Sequence, residues 1–204
     1  MEKALAAWLL LTASVAALTS PKDVVRSAVE QVMRVVQDAE LARPADAERR
    51  RLEIRGIADR LFDFTEMARR SLARHWGDRT SEQREEFVWL FRDLLERVYV
   101  GKLENYSGQR IAYTGESVDG PFATVRSKII SGRKAEIPIE YRLHLVGARW
   151  AVYDVLIEGV SIVSVYRSQF DRVIQTSSYE DLIQKLRLNG PASAPAARST
   201  SKRH

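Results

Sequence analysis

The sequence predicts an α+β fold, an antiparallel sheet of about four strands covered by N- and C-terminal helices. Three observations carry this. Apolar residues recur at helical spacing through the first hundred positions; the period drops to two between Arg110 and Ile157; helical spacing returns from Ser161 onward. Helices, a strand meander and helices again is the order of an α+β domain, not of βαβ units.

Ser20-Pro21-Lys22-Asp23 is a helix start, with a capping serine, proline at the first position and an acid in the first turn. Val24, Val25, Ala28, Val29, Val32, Val36 and Ala39 follow on one face. Pro44 opens a second predicted helix with Leu52, Ile57, Ala58 and Leu61 on its apolar side. Asp63-Phe64-Thr65-Glu66 and Thr80-Ser81-Glu82-Gln83 are capping boxes. The first starts a short helix to about Ala73. The second starts the clearest helix in the chain, where Phe87, Leu90, Phe91, Leu94, Leu95, Val98 and Tyr99 form a wide apolar stripe.

Residues 110–114, 123–130, 136–145 and 149–157 read as strands, with turns at Asp119-Gly120-Pro121 and Gly147-Ala148. The third alternates strictly: Ile137, Ile139, Tyr141, Leu143 and Leu145 share one face, and Glu136, Pro138, Glu140, Arg142 and His144 the other. Pro138 marks a bulge or an edge position. Ser161 caps a helix carrying Ile162, Val165, Tyr166, Phe170, Val173 and Ile174, and Ser177-Ser178-Tyr179-Glu180 is a further capping box before a last short helix.

Residues 1–17 have the form of a signal peptide, an apolar run from Ala4 to Ala17 ending in small residues. Residues 18–189 form the expected domain, and 190–204 read as a disordered basic tail rich in Pro, Ala and Ser. The chain has no cysteine, which excludes thiol catalysis and cysteine-ligated zinc. The formal net charge is +5, but Arg198, Lys202 and Arg203 lie in the tail, so no basic stripe suited to nucleic acid remains.

Catalytic constellations are sparse. No HExxH, GxSxG, GxGxxG or Walker A pattern occurs. His75 with Asp78 could form a dyad or a local cap, and Asp154 with Glu158 an acid/base pair or a solvated turn. The larger feature is apolar. Ile137, Ile139, Tyr141, Leu143, Trp150 and Val152 on the sheet face Phe87, Phe91, Leu95, Tyr99, Tyr166 and Phe170 on helices, as a dry core or as the walls of a cavity. Which alternate set of the 149–157 strand faces inward depends on register.

Two stretches resemble a known family. The first comprises Phe64-Thr65-Glu66-Met67-Ala68-Arg69, Thr80-Ser81-Glu82-Gln83-Arg84-Glu85-Glu86-Phe87 and Leu94-Leu95-Glu96-Arg97-Val98-Tyr99; the second is Trp150-Ala151-Val152-Tyr153-Asp154-Val155-Leu156-Ile157-Glu158-Gly159-Val160-Ser161 followed by Tyr166-Arg167-Ser168-Gln169-Phe170. Together they resemble the MlaC family of periplasmic phospholipid-binding, or toluene-tolerance, auxiliary proteins of ABC transporters, which includes a hopanoid-associated subgroup.

The resemblance implies an NTF2-like curved sheet and a pocket that holds acyl chains while the head group stays in water. It implies a periplasmic carrier with no catalytic residues and no cofactor, whose cargo is phospholipid. Its partners would be an outer-membrane lipoprotein complex and an inner-membrane ABC transporter complex, with no nucleic acid, and the chain itself would be a monomer. The lipid-binding residues expected on this basis are Phe91, Leu95, Tyr99, Ile139, Tyr141, Leu143, Trp150, Val152, Tyr166 and Phe170. Burying a 16-carbon chain at about 0.8 kcal/mol per methylene gives roughly 12 kcal/mol, enough to make such a container worthwhile. A hopanoid-type cargo, a cargo-free adaptor with a filled core, and a small enzyme using Asp154, Glu158 or His75 are the alternatives.

Overall fold

Helices in this chain begin where a side chain can satisfy a free backbone N–H. In a computed structural model describing residues 19–103, 109–131 and 135–188, Ser20 accepts from the Asp23 N–H at 3.1 Å and starts α1 (Pro21–Gln37). Asp63 accepts from the Glu66 N–H and starts α3 (Phe64–Leu72). Thr80 and Gln83 bond reciprocally, as a complete capping box, at the head of α4 (Ser81–Leu103). Ser161 starts α5 (Ile162–Thr176). The last helix, α6 (Tyr179–Leu188), is capped by Ser178 accepting from the Asp181 N–H, one residue later than the Ser177 box predicts.

One boundary also differs from expectation. Pro44 opens a single 3₁₀ turn (Pro44–Asp46), and α2 proper is Ala47–Leu61. The third helix stops at Leu72 because Ala73 takes a left-handed φ of 50°. The predicted signal peptide and basic tail lie outside the described residues.

The sheet is antiparallel, open and curved, in the order β1-β2-β3-β4-β5. Four strands are long: β1 (Arg110–Asp119), β2 (Phe122–Ser131), β3 (Ala135–Val146) and β4 (Arg149–Ile157). The fifth, β5 (Val160–Ser161), is a two-residue addition beside the end of β4. Pro138 lies in β3 opposite Lys128 of β2, just past the last β3–β4 pair, so its missing N–H costs no ladder bond to β4.

Register explains which side chains face the core. Leu143 pairs with Val152 and Tyr141 with Val155, so Tyr153 is an extra residue. This bulge lets Val152 and Val155 both face inward although they are three apart. It turns Tyr153 to the opposite side, where its ring meets His144 and Phe122 edge-on and lies 4.0 Å beneath the Arg70 guanidinium. A second bulge in β1, between Tyr113 and Gly115, keeps Ile111 and Tyr113 on the core side.

The core joins Ala123, Val125, Ile139, Leu143, Trp150, Val152 and Val155 of the sheet to apolar faces of all six helices. Packing of α5 on β4 is fixed by Asp154, a buried carboxylate at 4 % exposure. It accepts from the Ser161 hydroxyl at 2.7 Å and from the Val163 N–H at 3.2 Å, and Arg142 stands 3.7 Å away. A carboxylate at the first turn of α5 also meets the positive end of its dipole. At the other side of the sheet, Glu116 of β1 accepts from the Lys22 N–H at 2.9 Å and holds the start of α1 in the same way.

Asp154→Ala should cost about 2–3 kcal/mol in urea denaturation, because it strands a half-buried hydroxyl and a buried N–H. Ser161→Ala should cost about 1 kcal/mol. The double variant should be little worse than Asp154→Ala alone, as for members of one network. Glu66 is held below the ordinary carboxylate range by hydrogen bonds from Arg69 and Arg70, against the opposing effect of its partial burial. Its stabilising contribution is therefore present above the unfolded value and lost as pH falls through the folded one. Glu66→Gln should lose stability at neutral pH and show a flatter decline below about pH 4 than the parent, read from denaturation midpoints across pH.

Candidate functional site

The ten residues expected to line a pocket all lie in or against one core, and they divide into two zones. In the first, Phe91 of α4 meets Tyr166 and Phe170 of α5 edge-on, with ring centroids 5.4 and 5.6 Å apart. Phe87 stacks along Phe91 and meets Phe170 edge-on. Tyr166, Phe91, Leu143 and Val152 are sealed from solvent, and Trp150, Phe170, Leu95 and Ile139 are buried beside them. This zone is packed with side chains.

The second zone is the end of the sheet where β1 begins and β4 finishes. Tyr99, Tyr113, Ile129, Ile137, Tyr141 and Ile157 pack on the core there but remain half-buried. Ile111, Ile129 and Ile137 are register partners across three strands, so they form one apolar row. α1 packs against β1 and β2 beside this row. Its first half is buried through Val25 and Ala28, while Val29, Val32 and Met33 beyond are half-exposed.

The helix parts from the sheet in that second half. A cleft of about 390 Å³ opens between Val29, Met33 and Gln37 of α1 and Ile111 and Tyr113 of β1. On the other side of α1, a cleft of about 470 Å³ separates it from α2, lined by Val35, Leu41, Leu52 and Ile57 among polar neighbours. So α1 is pinned at its start by Glu116 and flanked by open space at its end.

Tyr99 and Tyr141, both expected to line a pocket, lie at this end, whereas Val29, Met33, Ile111 and Tyr113 are not among the expected residues. The apolar stripe of α1 signals Val29. Nothing local tells that β1 rather than α2 would face it.

Buried phenols mark the interior. The hydroxyls of Tyr113 and Tyr166 are buried without a hydrogen-bond partner among the described residues. Burial pushes the ionisation of both above the usual tyrosine range, with Tyr141 adding to the effect on Tyr113 and Tyr99 to that on Tyr166. Burial also raises Tyr141, opposed by Ser127 beside it. These phenols are neutral donors and acceptors facing apolar walls.

The polar candidates are structural in their contacts. Asp154 and Glu158 do not pair: Asp154 ties β4 to α5, while Glu158 is exposed in the following turn at a φ of 52°. His75 bonds Asp171 of α5 at 2.8 Å, not Asp78. That bond, then Arg74, holds the Asp171 carboxyl below its ordinary range. His144 bonds Asp63 at 3.0 Å and links β3 to the start of α3. No cluster of His, Asp and Glu suited to a metal occurs among the described residues.

Comparison with known proteins agrees with this fold. A family model described as MlaC protein matches residues 26–188, from within α1 to the end of α6. A toluene tolerance protein of Pseudomonas putida is 31% identical over 97 residues, covering 47% of this chain and 45% of that protein, so this chain spans less than half of that relative. The intermembrane phospholipid transport system binding protein MlaC of Haemophilus influenzae is 24% identical over 182 residues, covering 87% of this chain and 85% of that protein. Among solved structures, a phospholipid-binding protein of Ralstonia solanacearum, in complex with a phospholipid, superposes with a TM-score of 0.72 at 25% identity, covering 83% of this chain and 96% of that one. With the family pattern running through the whole described domain, this chain belongs to the MlaC family.

Proposed function

We propose that this protein is a periplasmic phospholipid carrier that takes lipid between an outer-membrane lipoprotein complex and an inner-membrane ABC transporter complex, with no bond made or broken. The observation that carries the reading is the similarity, over 96% of its length, to a chain solved with a phospholipid bound. The half-open apolar end between α1 and β1 supports it, because it offers acyl chains a way to the core.

The cleft is smaller than the cargo. Its volume of about 390 Å³ lies at the low end of the range for small-molecule pockets. The proposed entry lies beside the second half of α1, against Ile111 and Tyr113 of β1. Leu95, Tyr99, Ile139 and Tyr141 come next inward, and the Phe91, Tyr166 and Phe170 cluster forms the floor together with Leu143, Trp150 and Val152. Chain burial worth roughly 12 kcal/mol per 16 carbons far exceeds the contacts given up by one half-exposed helical segment. The same balance allows release, since an acceptor bilayer offers the chains an equivalent environment.

Purified protein, extracted with organic solvent and analysed by mass spectrometry, should contain stoichiometric phospholipid or acquire it from liposomes. Protein that stays lipid-free in both trials would sink the proposal. Met33→Trp and Ile111→Trp, which fill the cleft from half-exposed positions, should lower loading severalfold with little change in thermal midpoint. Leu143→Trp and Val152→Trp, at fully buried positions, should instead destabilise the fold by about 1–3 kcal/mol or more. In hydrogen exchange, amides of residues 30–37 should exchange faster than those of residues 24–29 in the empty protein and become protected on loading.

A further inference from the structure

The rim of the α1–β1 cleft carries an electrostatic pattern that apolar chain binding does not need. Arg34 on α1 and Arg110 at the start of β1 both line the opening, on opposite walls. Both are exposed, and neither guanidinium has a hydrogen-bond or ion-pair partner among the described residues. That is unusual in this chain, where most arginines are engaged: Arg55 with Glu96, Arg69 and Arg70 with Glu66, Arg92 with Asp59, Arg142 with Glu140. Glu30 lies on the same rim, one turn before Arg34, yet forms no ion pair with it. The two cations outnumber the one anion, so the mouth is positive while the walls behind it, Val29, Met33, Ile111 and Tyr113, are mainly apolar.

A positive rim over an apolar throat is complementary to an amphiphile whose anionic group sits at the head of its chains. Guanidinium groups offer forked donors that match phosphate oxygens. At a solvent-exposed rim such contacts require no desolvation of buried charge, so they add preference without trapping the cargo.

We infer that Arg34 and Arg110 form a head-group clamp that recognises the phosphodiester of the bound lipid, so that the carrier selects phosphate-bearing lipids over neutral lipids with the same chains. This inference rests on the carrier reading and names the polar half of its ligand. It assigns Arg34 a double position as well, since the same side chain also borders the α1–α2 cleft and would follow α1 as the helix moves.

The test is competitive loading from vesicles containing dioleoylphosphatidylglycerol and dioleoylglycerol in equal amounts, with the ratio of the two lipids in re-isolated protein measured by mass spectrometry. The parent should be enriched in the phospholipid, and the enrichment should fall as salt rises. Arg34→Gln/Arg110→Gln should lose about tenfold of that enrichment, while total lipid per protein and the circular dichroism spectrum stay near those of the parent. Equal enrichment in parent and variant would overturn the clamp and leave the carrier reading intact. A parent that takes up neither lipid would overturn both. Tight binding of inorganic phosphate alone, measured by calorimetry, would assign the pair to a free anion and overturn the head-group reading.

Discussion

The architecture depends on how a single edge of β4 is handled. The extra residue Tyr153 shifts the strand so that Val152 and Val155 point into the core and Asp154 points away from it. Asp154 then receives the Ser161 hydroxyl and the Val163 N–H, and so starts α5 at a fixed place and angle. From there Tyr166 and Phe170 reach Phe91. A buried carboxylate is costly unless its oxygens are satisfied. Satisfying them here joins a strand, a turn and a helix, and that need couples the polar network to the aromatic cluster.

Packing is graded along the sheet as a result. Around Asp154, Leu143 and Phe91 every apolar side chain has neighbours on all sides. Toward Ile111, Ile129 and Ile137 the helices draw off and the apolar row is half covered. A uniformly dense core would have nowhere to begin opening. A uniformly loose one would not hold the fold of a chain without disulfides. Rigidity at one end and a loosely seated helix at the other satisfy both demands, with Glu116 anchoring the start of α1 between them.

Much of this was legible in the sequence because it rests on local chemistry. Capping residues act over three positions, so Ser20, Asp63, Thr80 and Ser161 announced their helices. The alternation of β3 announced its inner face. Less local features escaped. The bulge at Tyr153 depends on which residue of β3 lies opposite, so strict alternation beyond Val152 would have put Asp154 inside and Val155 outside. The His75–Asp171 and His144–Asp63 contacts join segments 96 and 81 residues apart, and no spacing rule reaches that far. The lining of the open end escaped for the same reason. Large aromatics drew the sequence reading toward Phe91, Tyr166 and Phe170, but size predicts burial, whereas openness at Met33 and Ile111 comes from the path α1 takes across the sheet.

The half-released end of α1 bears on how long the protein lasts. Native-state opening starts in segments with few buried contacts, so this is where a protease first finds extended chain. A cargo that fills the cleft binds only the folded state and raises its free energy of unfolding by mass action, about 2.7 kcal/mol at a hundredfold excess over Kd. Occupancy and lifetime are then linked through one helix. On the carrier reading, an empty molecule is then more open to proteolysis than a loaded one.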